Sequence, residues 1–473
     1  MRSKLNRFGL IALGVVLGVT ISLNYSAIAQ RDATPSPLPV EELRAFSEVF
    51  GRIKADYVET VSDKKLITEA INGMLSGLDP HSAYLDQDAF REMQVGTQGE
   101  FGGLGIEVGM EDGLVKVVSP IDDSPASRAG IKTGDLIVKL DETSVKGLTL
   151  NDAVKRMRGK PNTNITLTIL RKGETKPLVV TLTRAVIKIQ SVKSKLLEPG
   201  IGYFRVSQFQ EHTGETLAQA ITTMFKANGA PMKGIVLDLR NDPGGLLNGA
   251  VAVSAAFLPK DALVVYTDGR AEDAKLKLNA SPEYYLRGRG REDYIAKLPP
   301  EIKTVPMVVL VNGGSASASE IVAGALQDYK RAVVMGQQTF GKGSVQTILP
   351  LGNNTAIKLT TARYFTPNGR SIQAKGIVPD IALEDSAARR EASLNLREAD
   401  LSKHLTGENA KPEPKAAAPT VNTYGFIPAP RPKEVDEKAA RPEPGEVVSK
   451  NDYELNQAVS FLKSRGVSVR ASN

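Results

Sequence analysis

The sequence has 473 residues, more than the roughly 100 to 200 of an average domain, which predicts two or three folded units joined by linkers. Hydrophobic residues make up 41% of the sequence and charged residues 24%, a composition typical of globular proteins. The 27 prolines nevertheless predict some disordered stretches. The net charge of +7 is mild for this length, and no basic patch interleaved with aromatic residues is present, which argues against a nucleic-acid partner.

Residues 1–29 have the pattern of a secretory signal peptide. Three basic residues precede a mostly apolar run over 8–23, and the small residues Ala27-Ile28-Ala29 form a cleavage site. The alternative is an uncleaved anchor, but about sixteen apolar residues fall short of the roughly 20 that span a bilayer. The pattern therefore predicts a periplasmic protein, loosely associated with the inner membrane if the signal is retained. The sequence has no cysteine, which excludes disulfides and a lipid-modified cysteine.

Residues 30–98 predict a small helical domain. Apolar residues recur at helical spacing from Pro39 to about Gln94. The segment 78–85, LDPHSAYL, interrupts this pattern with a proline, and its His81 invites a catalytic interpretation. Because a lone histidine beside a proline turn is more often a capping or packing residue, we predict a structural role for His81.

Residues 99–186 change to short β-like runs, interrupted by helical pieces near 124–129 and 150–157. The stretch SPASRAGIKTGDLI at 124–137 and a glycine-rich stretch before it resemble a PDZ domain over about 85 residues. The resemblance implies that the chain terminus of a peptide binds backbone N–H groups of that glycine-rich stretch while the peptide pairs with the next strand. The implied binding residues are Gly102, Gly103, Leu104, Gly105 and Ile106. Arg158 could sense the bound tail, but we prefer to interpret it as a surface residue.

Residues 187–383 alternate strands and helices and predict an α/β core. The predicted strands are 202–206, 234–239, 307–311 and 333–336, and the predicted helices are 246–257 and 318–329. Residues 384–450 are rich in Pro, Ala, Lys and Glu, which predicts a flexible, disordered linker. Residues 451–473 predict a closing helix and tail, with the helix docked on the core or on a second subunit.

The densest polar motif is NGGSASASEI at 312–321, between an apolar strand and an amphipathic helix. Ser317 and Glu320 have the spacing of a capping box, which would begin the helix without any catalysis. A helix N-terminus also presents unpaired N–H groups and the positive end of the helix dipole, which stabilise a developing oxyanion. On these residues alone, both interpretations stand.

A nucleophilic serine needs a base, and none of the three histidines makes a convincing triad with this motif. A neutral lysine can act instead, and GKGSVQ at 341–346 offers Lys342. Moving the pKa of a lysine from about 10.4 to the 7–8 range disfavours its charged form by roughly 4 kcal/mol, which burial can supply. Residues 336–342 match the first seven places of a Walker A loop, but Gly343 replaces the Ser or Thr that holds magnesium, which argues against a nucleotide site.

Together these motifs resemble the carboxyl-terminal processing peptidases, or tail-specific proteases, a serine peptidase family with a Ser/Lys dyad, from about 43 to 383. The resemblance implies a multidomain α/β protein with an α/β spiral (crotonase-like) protease core, an inserted PDZ domain and a small helical N-terminal domain. It implies that Ser317 is the nucleophile, that Lys342 is the general base and that Gln346 orients this lysine. It assigns a supporting role to Glu320.

A third motif, DLRNDPGGL at 238–246, resembles the family's D-L-R-x-N-P-G-G segment, with Asp242 where asparagine is common. The resemblance implies an oxyanion hole formed by the N–H of Ala318 and that of Gly244 or Gly245. Which glycine donates is left open by the sequence.

The implied reaction is hydrolysis of protein substrates with apolar C-terminal tails through an acyl-enzyme, which requires no metal or cofactor. Family analogy suggests a homodimer and an adaptor protein. Two alternatives remain: a non-catalytic PDZ scaffold that binds protein C-termini, and an acyltransferase or isomerase on a related spiral core. The intact Ser317, Lys342 and Gln346 argue against the scaffold.

Overall fold

A computed structural model describes the ranges 38–121, 124–188, 190–288, 290–383, 397–406, 424–429, 447–449 and 451–468. The predicted signal peptide and most of the predicted linker lie outside these ranges. The chain divides into two compact units, residues 1–70 and 71–473. No helix among the described residues is both long and apolar enough to cross a membrane.

The helices are α1 (Val40–Asp56), α2 (Asp63–Ser76), α3 (Gln87–Gln98), α4 (Pro125–Arg128), α5 (Leu150–Met157), α6 (Thr213–Asn228), α7 (Leu247–Phe257), α8 (Pro282–Tyr285), α9 (Ala318–Asp328) and α10 (Tyr453–Ser468). The first nine strands are β1 (Ala83–Leu85), β2 (Glu100–Gly103), β3 (Ile106–Glu111), β4 (Leu114–Pro120), β5 (Leu136–Leu140), β6 (Thr143–Ser144), β7 (Asn164–Leu170), β8 (Leu178–Thr183) and β9 (Ala185–Lys188). The remaining strands are β10 (Val192–Glu198), β11 (Ile201–Val206), β12 (Gly234–Asp238), β13 (Leu263–Gly269), β14 (Lys277–Asn279), β15 (Met307–Val311), β16 (Val333–Gly336), β17 (Ser344–Pro350), β18 (Ala356–Phe365) and β19 (Ile381–Ala382).

Helix α1 in the first unit is amphipathic, but its apolar residues are exposed. The side chains of Leu43, Phe46 and Val49 are all more than two-fifths accessible to solvent. Acidic residues in its first turn, Glu41 and Glu42, stabilise the positive end of the helix dipole. The helical spacing read from the sequence therefore corresponds to a helix whose apolar side is not covered within the described residues.

Residues 106–183 contain an antiparallel sheet in the order β3-β4-β5-β7-β8, with β6 paired to β5. Alternate residues of β7 point into a separate apolar core, which includes Ile165, Leu167 and Ile169. Strand β3 stands at the edge of this sheet and pairs with β4 alone in the sheet order. Among the described residues, no strand pairs with the other side of β3, which is where a peptide strand can pair.

The core contains a six-stranded sheet in the order β10-β11-β12-β15-β16-β19, in which all pairs are parallel except β10 with β11. Every residue of β12 and β15 is buried, as expected for parallel strands covered on both faces. Ile235 and Leu237 pack in the cluster that contains residues of α6, α7 and α9, whereas Val236 packs in the cluster that contains residues of α10. The sheet therefore lies between two helical layers.

Three adjacent parallel strands of this sheet end at the same edge. The DLRNDPGGL motif follows β12, the NGGSASASEI motif follows β15, and the loop that carries Lys342 follows β16. In open α/β sheets, the carboxyl ends of the strands form the crevice in which ligands bind. The topology thus brings together three motifs that are up to about 100 residues apart in sequence.

A second sheet has the order β1-β18-β13-β14, with β17 paired to β18. Strands β17 and β18 form an antiparallel hairpin directly after the loop that carries Lys342. Strand β1 pairs with the other side of β18, with Ala83 opposite Lys358. This hairpin therefore connects the Lys342 loop to the segment that precedes β1.

The C-terminal helix α10 is held on the core by a buried ion network as well as by apolar packing. Arg240 donates to Asp238 at 2.7 Å, to Asp452 at 2.7 Å and to Glu454 at 2.5 Å. Burial favours the neutral form of Asp238, but Arg240 and Arg205 hold its pKa down at about 2. Because Arg240 lies four residues before Gly244, this network also anchors the loop that follows β12.

We expect Arg240→Met to lower the free energy of unfolding by about 3–5 kcal/mol, because it leaves three carboxylates without their buried partner. A matched control is Lys463→Met, which removes the exposed α10 pair between Lys463 and Glu198 at 2.8 Å. The control should change stability by less than about 1 kcal/mol. Equilibrium unfolding in urea measures both, and equal losses in the two variants would contradict a dominant role for the buried network.

Candidate active site

Ser317 occupies a strained turn between β15 and α9. Its φ of +56° lies in the left-handed region, which residues other than glycine rarely adopt. The two flanking serines have structural partners: Ser315 Oγ donates to the carbonyl oxygen of Leu239 at 2.8 Å, and Ser319 Oγ donates to that of Asp242 at 2.7 Å. Strain of this kind is often found at functional sites, where the surrounding structure maintains it. Of the three serines in the motif, Ser317 is therefore the best candidate nucleophile.

Glu320 joins the Ser317 turn to the loop that carries Lys342. Its carboxylate is fully buried and accepts the N–H of Ser317 at 2.8 Å, which is one half of the expected capping box. The same carboxylate accepts the N–H groups of Gly341 at 2.7 Å and Lys342 at 2.9 Å, and the hydroxyl of Thr339 at 2.5 Å. Burial raises the pKa of Glu320 to about 7 in spite of these donors. The Glu320 carboxylate therefore holds together the turn that follows β15 and the loop that follows β16.

Lys342 is largely buried at this edge of the sheet. Burial lowers the pKa of its ammonium, and the positive charge of Lys358 lowers it further, while Glu398, Glu320 and Asp79 act in the opposite direction. Within the described part of the chain, the Lys342 ammonium makes no hydrogen bond and no ion pair. A buried lysine without a compensating partner favours its neutral form, which can accept a proton.

Tyr364 on β18 provides a second link between Ser317 and the Lys342 loop. Its buried hydroxyl donates to the carbonyl oxygen of Lys342, and the Ser317 side chain lies close enough to act on the pKa of the phenol. Burial raises the pKa of Tyr364 well above its usual value, so that the phenol stays protonated. Sequence reasoning missed this residue, because its strand carries no motif that distinguishes it from any other half-buried strand.

Gln346 lies on β17, close to the lysine in sequence. Its Nε2 donates to the hydroxyl of Ser344 at 3.0 Å and to that of Thr360 at 3.2 Å. Neither a bond between Gln346 and Lys342 nor one between Lys342 and Ser317 is present among the described residues. In enzymes without bound substrate, catalytic hydrogen bonds are often long and shorten when the substrate binds.

The glycine loop after β12 lies against the Ser317 turn. A Cβ atom on Gly244 would lie 2.8 Å from the backbone nitrogen of Ala318 and 2.8 Å from the Cβ of Ser317, and φ values of +97° at Gly244 and +146° at Gly245 also favour glycine. The N–H of Gly244 donates to Asp242 Oδ1 at 2.8 Å. Among the described residues, the N–H groups of Gly245 and Ala318 have no acceptor. These two groups are therefore available to an oxyanion.

Asp242, where the resembling family commonly has asparagine, is fully buried beneath this loop. Its Oδ1 accepts the Gly244 N–H, and its Oδ2 has no hydrogen-bond partner among the described residues. Burial raises the pKa of Asp242 to about 7. The departure from asparagine therefore keeps a hydrogen bond to the glycine loop.

The predicted peptide-binding residues lie at the start of the antiparallel sheet. Gly102 and Gly103 end β2, which pairs with β9, and Ile106 begins the edge strand β3. Leu104 packs in the core of this domain, and Gly105 adopts a φ of +73°, which favours glycine. The loop and the open edge of β3 are adjacent, as recognition of a peptide terminus requires.

Comparisons with known proteins agree with this architecture. Residues 200–383 match Peptidase family S41, residues 102–182 match a PDZ domain, and residues 20–89 match the family described as Activating protease CtpB N-terminal domain. A carboxy-terminal-processing protease of Bartonella bacilliformis is 46% identical over 95% of this chain and 94% of its own length. The carboxy-terminal processing protease CtpA of Bacillus subtilis is 34% identical over 81% of this chain and 78% of its own.

The solved structure of a photosystem II D1 C-terminal processing protease is 30% identical, covers 72% of this chain and 86% of its own, and superposes with a TM-score of 0.40. The fold and the sequence together define a serine-type peptidase that carries a PDZ domain. The chain belongs to peptidase family S41, among the carboxy-terminal processing proteases.

Proposed function

We propose that this protein is an exported endopeptidase that binds apolar C-terminal tails through its PDZ domain and cleaves peptide bonds with a Ser317/Lys342 dyad. The observation that carries the proposal is the buried Glu320 carboxylate, which accepts N–H groups from both Ser317 and Lys342. This shared anchor fixes the strained nucleophile turn relative to the loop of the base. A serine at a helix N-terminus and a buried lysine are the groups that acyl transfer needs.

In the proposed mechanism, neutral Lys342 takes the proton of Ser317 as Oγ attacks the scissile carbonyl carbon. The N–H groups of Ala318 and Gly245 stabilise the oxyanion, since the Gly244 N–H is already bonded to Asp242. Protonated Lys342 then gives its proton to the leaving amine. Water attacks the acyl-enzyme with Lys342 again as base, which releases the new C-terminus and restores Ser317.

Substrate capture is assigned to the loop of residues 102–106 and the edge strand β3. Backbone N–H groups of the loop bind the terminal carboxylate, while the tail pairs with β3 as an additional strand. An apolar tail suits this site because the edge strand presents two partly buried apolar residues, Ile106 and Val108. Protein substrates with apolar C-termini are therefore the proposed partners.

Export to the periplasm is proposed on the basic region, apolar run and cleavage site of residues 1–29. A homodimer is supported by the exposed apolar residues on α1, which a second subunit would cover. The proposal also includes an adaptor protein, on the basis of the family resemblance, and a loose association with the membrane, on the basis of the signal pattern.

We expect residues 30–473 to cleave an unstructured protein substrate that ends in apolar residues. Replacing the last two residues of the substrate with aspartate should lower kcat/KM about tenfold or more. The expected effect falls on KM, because the tail binds away from the reacting bond. Gel analysis with mass spectrometry of the products measures both substrates, and the apolar substrate with an amidated C-terminus serves as a control for carboxylate recognition. Tail binding without any cleavage would instead favour the scaffold alternative.

A further inference from the structure

The motif around His81, to which the sequence assigned only a structural role, forms a turn over residues 79–82 that is fixed onto β18. The carboxylate of Asp79 accepts the N–H of His81 at 2.8 Å, the N–H of Ser82 at 2.9 Å and the hydroxyl of Ser82 at 2.6 Å. Burial would raise the pKa of Asp79, but these bonds hold it below its usual range. The Ser82 hydroxyl also accepts the N–H of Thr360 at 3.1 Å. The 79–82 turn is therefore a rigid, largely buried element.

The first connection runs from the turn to Gln346. Asp79 Oδ1 accepts the hydroxyl of Thr360 at 3.0 Å, and the oxygen of the same hydroxyl accepts Nε2 of Gln346 at 3.2 Å. Since Ser344 accepts the other Nε2 hydrogen, both amide hydrogens of Gln346 are engaged. Among the described residues, no group donates to the amide oxygen of Gln346, and such an acceptor is what a lysine ammonium requires.

The second connection runs from the turn to the backbone of the Lys342 loop. His81 Nε2 lies 2.8 Å from Oε2 of Glu398, and Gln373 Nε2 donates to Oε1 of the same carboxylate at 2.8 Å. Gln373 Oε1 in turn accepts the N–H of Gly343 at 2.9 Å. The N–H of Glu398 donates to the carbonyl oxygen of Phe340 at 3.1 Å, on the other side of Lys342. Glu398 thus holds the loop on both sides of the lysine.

Glu398 also brings a negative charge close to the lysine. Its side chain is fully buried, and although burial would raise its pKa, the bonds from His81 and Gln373 lower it, so that it is ionised at neutral pH. The charged groups that face Lys342 are Lys358 on β18, Glu320 on α9, Asp79 in the turn and Glu398. Among the three carboxylates, Glu398 has the largest effect on Lys342.

We propose that the 79–82 turn and Glu398 are a positioning element for the general base, in which Asp79 orients Gln346 through Thr360 and the His81–Glu398 pair holds the Lys342 loop and tunes its charge. The inference rests on the proposed function, in which Lys342 is the base. Neither His81 nor Glu398 touches the reacting atoms. Their role is to fix where the lysine lies and at which pH it becomes neutral.

The test is the rate at which a fluorophosphonate modifies Ser317, measured from pH 5 to 10 on residues 30–473. In this reaction Oγ bonds to phosphorus, fluoride leaves and Lys342 accepts the proton, so that the rate follows the neutral lysine without any need for tail recognition. The acid limb of the profile is the range in which the rate rises with pH as Lys342 loses its proton. The Glu398 anion favours the protonated ammonium, so its removal in Glu398→Gln should shift the acid limb to lower pH by about 0.5 to 1 unit. A variant that only loosened the fold would lower the rate without moving the limb to lower pH.

The connection through Thr360 has its own pair of variants. Thr360→Val removes the hydroxyl that orients Gln346 and should lower the plateau rate about tenfold or more, since small displacements of catalytic groups have large effects. Thr360→Ser keeps the hydroxyl and should restore the rate to within about twofold. A thermal unfolding scan of each variant identifies any that fail to fold.

The outcomes separate the two proposals. If wild type is not modified at Ser317, or if its rate does not rise with pH, the proposed dyad is wrong. If wild type behaves as expected but folded Glu398→Gln keeps the wild-type limb, or Thr360→Val keeps the wild-type plateau, the positioning role is wrong.

Discussion

Replacement of Ser317 by alanine is expected to lower kcat/KM for peptide hydrolysis by about 10⁴- to 10⁶-fold, because the variant has no group that can form the acyl-enzyme. Ser319→Ala is the matched comparison, since this serine lies two residues further on and is fully buried. Its hydroxyl donates to the carbonyl oxygen of Asp242 at 2.7 Å, so its loss removes one structural hydrogen bond of about 1 kcal/mol. Ser319→Ala should therefore keep activity within about tenfold of wild type.

Initial rates with the apolar-tailed substrate measure both variants, and a thermal unfolding scan verifies that the protease core of each variant is folded. The PDZ core is a cluster separate from the cluster beneath Ser317, so tail binding should be unchanged in Ser317→Ala. If Ser317→Ala retained activity and Ser319→Ala lost it, the wrong serine would have been assigned as nucleophile.

The parts of the site that could be predicted from sequence are those that follow directly on strongly apolar strands. The runs that become β12, β15 and β16 are short, apolar and followed by glycine-containing loops, and the predicted bounds agree with the observed strands to within one residue. Because parallel strands bring their carboxyl ends to the same edge, loops that follow three adjacent strands must meet. The meeting of Ser317, Gly244 and the Lys342 loop follows from this topology.

The two interpretations of Glu320 that the sequence left open are compatible in the structure. A capping box requires only that the carboxylate reach back to the N–H of Ser317, which it does at 2.8 Å. The same carboxylate also accepts three donors from residues 339–342, about twenty residues further along the chain. No local pattern contains this information, because it depends on how β16 places its loop beside α9.

Sequence reasoning could not find Tyr364, Thr360 or Glu398, and the reason is the same for each. Tyr364 and Thr360 lie on β18, a strand of buried and partly buried residues, and their roles arise from the hairpin that packs this strand beside the Lys342 loop. Glu398 lies in the composition-biased range 384–450 that was predicted as a linker, yet the structure places its side chain in full burial. Composition averaged over such a range does not reveal one buried carboxylate with specific partners.

The increase of the hydrolysis rate with pH is expected to come from deprotonation of Lys342. Replacing the neighbouring Lys358 tests this assignment, because it should shift the pKa of Lys342 in a known direction. A general base must be neutral, so kcat/KM should rise with pH as Lys342 of the free enzyme loses its proton. Burial and the positive charge of Lys358 both lower the pKa of Lys342 from its ordinary value. Lys342→Ala should lower the rate about 10²- to 10⁴-fold, and the rise of kcat/KM with pH, which is the acid limb of the profile, should disappear.

Lys358→Gln removes one of the two causes of the lowered pKa and leaves the base in place. Without the neighbouring cation, protonated Lys342 is less disfavoured, so the acid limb should move to higher pH by about half a unit. Lys277→Gln changes a lysine that is exposed on β14 in the same sheet and should leave the profile unchanged, which excludes a general effect of net charge. A shift of the acid limb to higher pH in Lys358→Gln would identify Lys342 as the group that titrates. If the acid limb does not move in Lys358→Gln, or is still present in Lys342→Ala, another group is the base.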